Sequence, residues 1–533
     1  MRIFLFALIF SACYVAEGFG QLYPGYKITA YDTSSKGYYF TCPINKQPGQ
    51  KHVVPSQLIL DGQGRVIYFK IFTNAASIAD LKIWPNGQMS YSCKNKFYLM
   101  DSSFAVIDSV SIKNGYTPDL HDMQILPNGH FLLMGTETDT MDLSGYPYFN
   151  HNGSPGSKTA LVTCGLIQEQ DKNKNVVFEW HARDHYAFDD VDSTDLSSTT
   201  NVDWTHFNAF AFDNDSNILL SVRWFNEITK ISRKDGSIIW RFGGKRNQFT
   251  FLNDTNRFVG QHDIRRISNG DITLFDNGKS YPFHPATARE YKLGETQHTA
   301  NLVWSYIDNP KDYSLATGNV QRNPNGNTLV DYGIVTNANK VFNAVNAAGS
   351  KVFEIAFDDS LVSARSYYYQ SLPWKLPRPQ ITCFLSNGKY FLDAGAGHSK
   401  YIWSTGDTTR TIEPTQSDTY FVFVPIGQGG FICSEYFVTS NHSGPCGLTS
   451  INENPMEPGF LLFPNPAADE LIVQSESFQD KNIKTEIFDM TGKKVYQSSH
   501  YPVENVLLLN ITSLANGMYV IDINGIKRKI VKE

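Results

Sequence analysis

One short turn recurs through the chain: DGQG at Asp61, PNG at Pro85 and Pro127, NDSN at Asn214, SNG at Ser268 and PNG at Pro324. Each is followed by an apolar or alternating stretch, in order VIYF, MSYS, HFLLM, ILLSV, DITLF and NTLVDYG. Asn-Gly and Asp-Gly supply the positive φ that tight β-hairpins need. Between several of these turns lies a second hairpin ending in a Trp or Phe strand, as in NKNVVFEW, KDGSIIWRF, TANLVWSY and AAGSKVFEI. Two hairpins per repeat make a four-stranded antiparallel sheet, and about six repeats predict a six-bladed β-propeller over residues 21–375. An aromatic content of 14% with 39 Gly suits such a turn-rich, all-β chain.

The repeat is interrupted once, between Thr138 and Asn201, by a segment containing WHARDHYAFDDVDSTDLSS. A long insertion on one face of a scaffold commonly walls a binding site. After the propeller the pattern changes to short alternating strands around Trp403, which predict an immunoglobulin-like sandwich over 376–443. A linker rich in Gly, Asn, Pro and Glu, 444–459, leads to a second small β-sandwich over 460–533 with a basic end.

Residues 1–20 read as a signal peptide: Arg2, a short apolar run from Ile3 to Val15, then small residues near Gly18 and Gly20. That run is too short to span a bilayer, so no membrane span is expected in the mature protein. Removing it leaves six of the seven cysteines, an even number that permits disulfides in an exported protein. A local pairing of Cys383 with Cys433 or with Cys446 is expected. The net charge of −6 and the lack of a basic block argue against nucleic acid as a partner. No Walker loop or Rossmann fingerprint points to a cofactor.

Three histidines stand at the start of strand-turn-strand units: His121 in HDMQILPNG, His206 in DWTHFN and His262 in GQHDIRR. In a ring of such units they converge on one face. A neutral imidazole is a competent nucleophile near neutral pH, and Arg223 in SVRWF offers a planar fork for a tetrahedral anion. His181 and His185, with Asp184, are candidates to border the entrance, or else lie on a solvated loop. The histidine spacing lacks HExxH or any short ligand pair, so no metal is expected. Arg265, three residues after His262, falls on the opposite pleat face if the strand is regular. Asn277 in LFDNG reads as turn architecture.

The strings HDMQILPNG, VDWTHFNAF, LLSVRWFNEITKI, GSIIWRFGG, GQHDIRR, ITLFDNG and GNVQRNPNGNTLVDYG, in that order, resemble the arylsulfotransferase family, PAPS-independent enzymes built on a six-bladed propeller. The resemblance implies a phenolic sulfate donor, a phenolic acceptor and a transient sulfohistidine. It places the covalent role on His262, sulfuryl binding on His121 and His206, and the fixed cation on Arg223. Asn208 then orients a histidine or donates to substrate, and His185 is carried as a second substrate contact. FPNPAADELIV, IFDMTGKKVY and LANGMYVI are similar to the sorting domain of type IX secretion substrates. That implies passage through the periplasm and outer membrane, and a secreted or surface-attached product. Two other readings fit the same residues: a non-catalytic displayed propeller that binds a glycan or a protein, and an aryl-sulfate hydrolase with water as acceptor.

Overall fold

The computed structural model describes residues 23–31, 36–45, 54–75, 77–146, 156–192, 200–280, 282–335, 340–357, 361–414, 419–438, 461–463, 467, 469–474, 482–489, 492–500, 506–523 and 526–532. The expected signal peptide and linker lie outside them, as does Cys446.

The chain is all-β and divides into two compact units, Met1–Leu448 and Thr449–Glu533. Among the described residues the first unit contains six antiparallel sheets with a four-stranded core each. Sheets two to six follow the chain, and their innermost strands are Ile78–Ile83, Thr117–Ile125, Phe207–Phe212, His262–Arg266 and Asn319–Arg322. Sheet one uses both ends of the ring: Leu361–Tyr369 is its innermost strand and pairs with Tyr38–Asn45. The DGQG turn therefore differs from its five relatives. It joins the two outer strands of sheet one, Ser56–Asp61 and Val66–Ile71, because that sheet's first strand arrives from the far end of the chain. The other five turns join the first and second strands, with the turn glycine at φ near +80° in four of them and Ser216 at +68° in NDSN.

The innermost strands neighbour one another around the ring, Ile78–Ile83 meeting Thr117–Ile125 through Lys82 and Asp122. At one level they carry Asp80, Asp122, Asn208, Asp263, Asn319 and Arg365, all 5% exposed or less. Buried polar groups must find partners, and these find them on the next sheet. Asp122 accepts from the Phe210 N–H at 3.4 Å, and Asn208 Nδ2 donates to Gln261 O at 2.7 Å. Asp263 accepts from the Val320 N–H at 3.1 Å. Asn319 donates to Ser366 O and accepts from Ser366 N–H, both at 2.9 Å. Tyr367, beside Arg365, donates to Asp80 at 2.6 Å, and Lys82 donates to Asp122 and to Met123 O at 3.1 Å. Side-chain staples thus join every sheet to its neighbour.

The segment expected as a separate sandwich, 376–443, is joined to the ring through one sheet. Gly430–Cys433 pairs with the outer strand Val66–Ile71 of sheet one, Phe431 opposite Phe69. Its Leu392, Trp403, Tyr420 and Val424 share a core with Phe40, Tyr68 and Phe104. Cys383 is disulfide-bonded while Cys433 is a buried free thiol, which removes the Cys383–Cys433 alternative.

In the second unit two sheets enclose one apolar core of Leu471, Val473, Ile487, Leu507, Leu509 and Ile521. Gly517–Ile523 buries every second side chain, the period expected of a strand with one covered face.

Replacing Asn319 with Ala should lower the stability of the ring by about 1–3 kcal/mol, because the buried Ser366 N–H and C=O both lose their partner. A lowered midpoint in chemical denaturation checks this.

Candidate active site

His121, His206 and His262 reach one place from three neighbouring sheets. The ring centres of His121 and His206 are 5.3 Å apart, and those of His121 and His262 are 6.3 Å apart. Local backbone makes this possible. His206, just before its strand, has φ +48°, and Asp263, just after His262, has φ +59°. Both are left-handed conformations that non-glycine residues seldom adopt. The irregularity at Asp263 breaks the alternation of its strand. Arg265 consequently turns inward, against expectation, and bonds Asp122, Asp263 and Phe210 O, each at 2.7 Å.

Each histidine has a fixed Nδ1 partner. His121 is held by Asp119 at 2.7 Å, His206 by Asp203, and His262 by Asn277 Oδ1 at 2.7 Å. The Nε2 of His262 accepts the Thr317 N–H at 3.1 Å. Burial pushes the His262 pKa down, and Arg223, His121 and His206 push it further, well below the ordinary histidine value. Burial also lowers His206, against the opposing pull of Asp203. Burial alone would lower His121 as well, but the Asp119 carboxylate outweighs it and the net shift is upward. The three rings therefore differ in state at neutral pH: His262 and His206 are neutral, while His121 is the one biased toward holding a proton.

Arg223 sits in a short 3-10 turn, Arg223–Phe225, at the end of the strand Ile218–Val222. Its guanidinium lies 4.3 Å from the Trp224 ring and donates to Leu315 O. The insertion predicted to wall the site braces this turn. Asp192 N–H donates to Trp224 O at 2.8 Å, and Asp190, two residues earlier, is pinned by Arg241 and Arg246. Trp224 in turn packs on the His206 ring at 5.1 Å.

A cavity of about 480 Å³ opens from this cluster between sheets one, two and three. His121, His262, Asp80, Asp119, Thr317 and Arg365 supply most of its polar wall, and Pro118, Leu120 and Ala79 part of the apolar one.

The two residues expected to contact substrate take other places. Asn208 is fully buried behind His262, with its Nδ2 on the backbone oxygen of Gln261, the residue before it. His185 lies flat on Trp180, ring centres 4.6 Å apart, and joins neither the histidine cluster nor the cavity wall. The short 3-10 turn after the strand Val176–His181 sends it onto the tryptophan face.

Two residues that pattern reading missed, Thr317 and Asn277, both touch His262. Thr317 stands two positions before the ring residue Asn319, as His206 stands two before Asn208. Aligning the repeats on the ring position would have found it.

Residues 33–370 match the family model described as Arylsulfotransferase (ASST), and residues 461–533 match that described as Secretion system C-terminal sorting domain. Among curated proteins the comparison finds no match. Similar solved structures include a protein of unknown function from Bacteroides caccae, at 11% identity and TM-score 0.39, covering 63% of this chain and 100% of that one. A virginiamycin B lyase from Staphylococcus aureus is 10% identical with TM-score 0.32, covering 69% of this chain and 94% of that one.

Asp119→Asn should bring the His121 pKa below the ordinary histidine value, since burial, Arg365 and Arg223 then act unopposed. In the native protein the pair stabilises the fold fully below pH ~6.5 and loses that contribution as pH rises through the raised pKa. His262 behaves oppositely: it opposes folding as pH falls below ~6.5, where the unfolded chain takes up the proton and the buried ring does not. NMR titration of the imidazole resonances in both proteins checks the directions.

Proposed function

We propose, because the chain belongs to the arylsulfotransferase family, that the histidine cluster moves a sulfuryl group from a phenolic sulfate ester to a phenolic acceptor through His262. Family membership makes the protein an aryl sulfotransferase, and its C-terminal sorting domain makes it a type IX secretion substrate, secreted or held at the cell surface. No helix among the described residues is long and apolar enough to cross a membrane.

The observation that carries this reading is the unequal state of His121 and His262, which face one cavity. His262 is buried, uncharged and within reach of a cation, as a nitrogen nucleophile for an anionic sulfur centre requires. Its Nε2 attacks sulfur, the N–S bond forms and the S–O bond to the aryl group breaks. The departing phenolate takes a proton from His121, whose Asp119 partner favours the charged form. Arg223 neutralises charge on the sulfuryl oxygens, His206 stands beside them in the cluster, and Thr317 N–H, released from Nε2, donates to them.

In the second half, the acceptor phenol returns its proton to His121 while its oxygen attacks sulfur and the N–S bond breaks. The enzyme is then restored with no net proton change. The cycle is a displacement in which positioning and fixed charges supply most of the acceleration, as in phosphoryl transfer.

A chromogenic aryl sulfate assayed with and without added phenol tests the reading. Turnover that requires phenol is expected. Equal turnover without it assigns the protein to hydrolysis, and silence with both assigns it to binding. His262→Ala should lower kcat by at least ~10⁴-fold, and His121→Gln by roughly 10²–10⁴-fold. A fully active His262→Ala protein overturns the covalent route.

A further inference from the structure

The turn Asp276-Asn277-Gly278 follows the strand Ile272–Asp276, which pairs directly with the strand of His262. Asn277 is 1% exposed, so it is no ordinary hairpin tip. Its Oδ1 lies 2.7 Å from His262 Nδ1, and its Nδ2 donates to Ser314 Oγ at 3.0 Å and to Thr317 O at 2.9 Å.

An amide side chain has one accepting end and one donating end. A carbonyl oxygen, Thr317 O, and the hydroxyl of Ser314, whose own proton goes to Ala316 O, both face the donating end. Turning the amide over would set oxygen against oxygen. The accepting end therefore faces the imidazole, and Nδ1 of His262 must carry the proton. A closed loop results: His262 Nδ1 donates to Asn277, Asn277 donates to Thr317 O, and Thr317 N–H donates back to His262 Nε2.

The neighbouring histidines are built differently, since carboxylates stand at Nδ1 of His121 and His206. A carboxylate in that place favours the imidazolium, whereas an amide holds the ring without adding charge.

We propose that Asn277 is the positioning residue of the nucleophile: it fixes His262 as the Nδ1–H tautomer and so presents the Nε2 lone pair on the side of Thr317 and the cavity. The catalytic consequence rests on the transfer reading above, but the tautomer does not. The charged and titratable groups facing His262 are Arg223 and His206 from sheet four, His121 with its Asp119 from sheet three, and Arg365 at the cavity wall from sheet one. None of them puts a carboxylate on Nδ1 of His262.

The test uses the full chain labelled with ¹⁵N-histidine, with His262 assigned by its loss in His262→Gln. Wild type should show a protonated Nδ1 and an unprotonated Nε2 at neutral pH, and should stay uncharged well below pH ~6.5. Asn277→Asp should raise the titration of His262 by about one unit or more and move the acidic limb of kcat/KM upward by the same amount. Asn277→Ser should leave that limb in place while lowering kcat with KM nearly unchanged. A wild-type His262 protonated on Nε2 overturns the proposal without any variant having to fold, as does an unshifted titration in a folded Asn277→Asp protein. If no aryl sulfate turns over, the transfer reading fails while the tautomer measurement still decides this one.

Discussion

The ring of buried polar side chains at one level of the innermost strands is the constraint on which the rest depends. A propeller is closed only if each sheet is fixed to the next, and apolar faces alone permit sliding. Hydrogen bonds from Asp122, Asn208, Asp263 and Asn319 to the backbone of the following sheet have one register each. Slipping any strand by a residue would leave several buried groups unpaired, at about 1–3 kcal/mol apiece. The same residues fix the site. Asp122 and Asp263 directly follow His121 and His262, so anchoring the carboxylate sets the imidazole. The left-handed backbone at Asp80, His206, Asp263 and Thr317 belongs to this arrangement, and it persists because the staples over-determine it.

Charge is balanced inside the ring. Three carboxylates, Asp80, Asp122 and Asp263, meet three cations, Lys82, Arg265 and Arg365, with all six side chains buried or nearly so. Unpaired ions in such a place are prohibitive, and equal numbers with shared contacts make them tolerable. The balance has a consequence for chemistry. With the lattice neutral, the field at the histidine cluster is set by Arg223 and by the carboxylates that individual histidines keep. On the transfer reading, an anionic ester then meets the Arg223 guanidinium, in a protein whose overall charge is negative.

Much of this was legible before any coordinates. Hairpin turns at PNG and SNG gave the repeat, because their backbone needs are local. The convergence of His121, His206 and His262 followed from placing the repeats on a ring. What failed were inferences that assumed regular strands or equivalent ends. DGQG was counted as a sixth first turn, although ring closure makes it an outer one. A period-two count puts Arg265 on the wrong face, because a single residue in the left-handed region, Asp263, is invisible to it. His185 reads as a border of the site because it lies in the insertion, but its ring stacks on Trp180 instead. Asn277 was hidden by its own composition, since Asn-Gly reads as a turn wherever it occurs.

That last case bears on how the three imidazoles differ. They are chemically identical and lie within one cluster, so only their partners can distinguish them. A carboxylate at Nδ1 makes His121 more basic than an ordinary histidine. The same kind of partner on His206 is offset by burial and by the charge of its neighbours. An amide at Nδ1 adds no charge, so burial and Arg223 govern His262 and keep it neutral. On the transfer reading, exchanging the partners between His121 and His262 would exchange acid for nucleophile without moving a ring. The chemistry of the cluster therefore resides less in the histidines than in Asp119, Asp203 and Asn277, the residues that stand behind them.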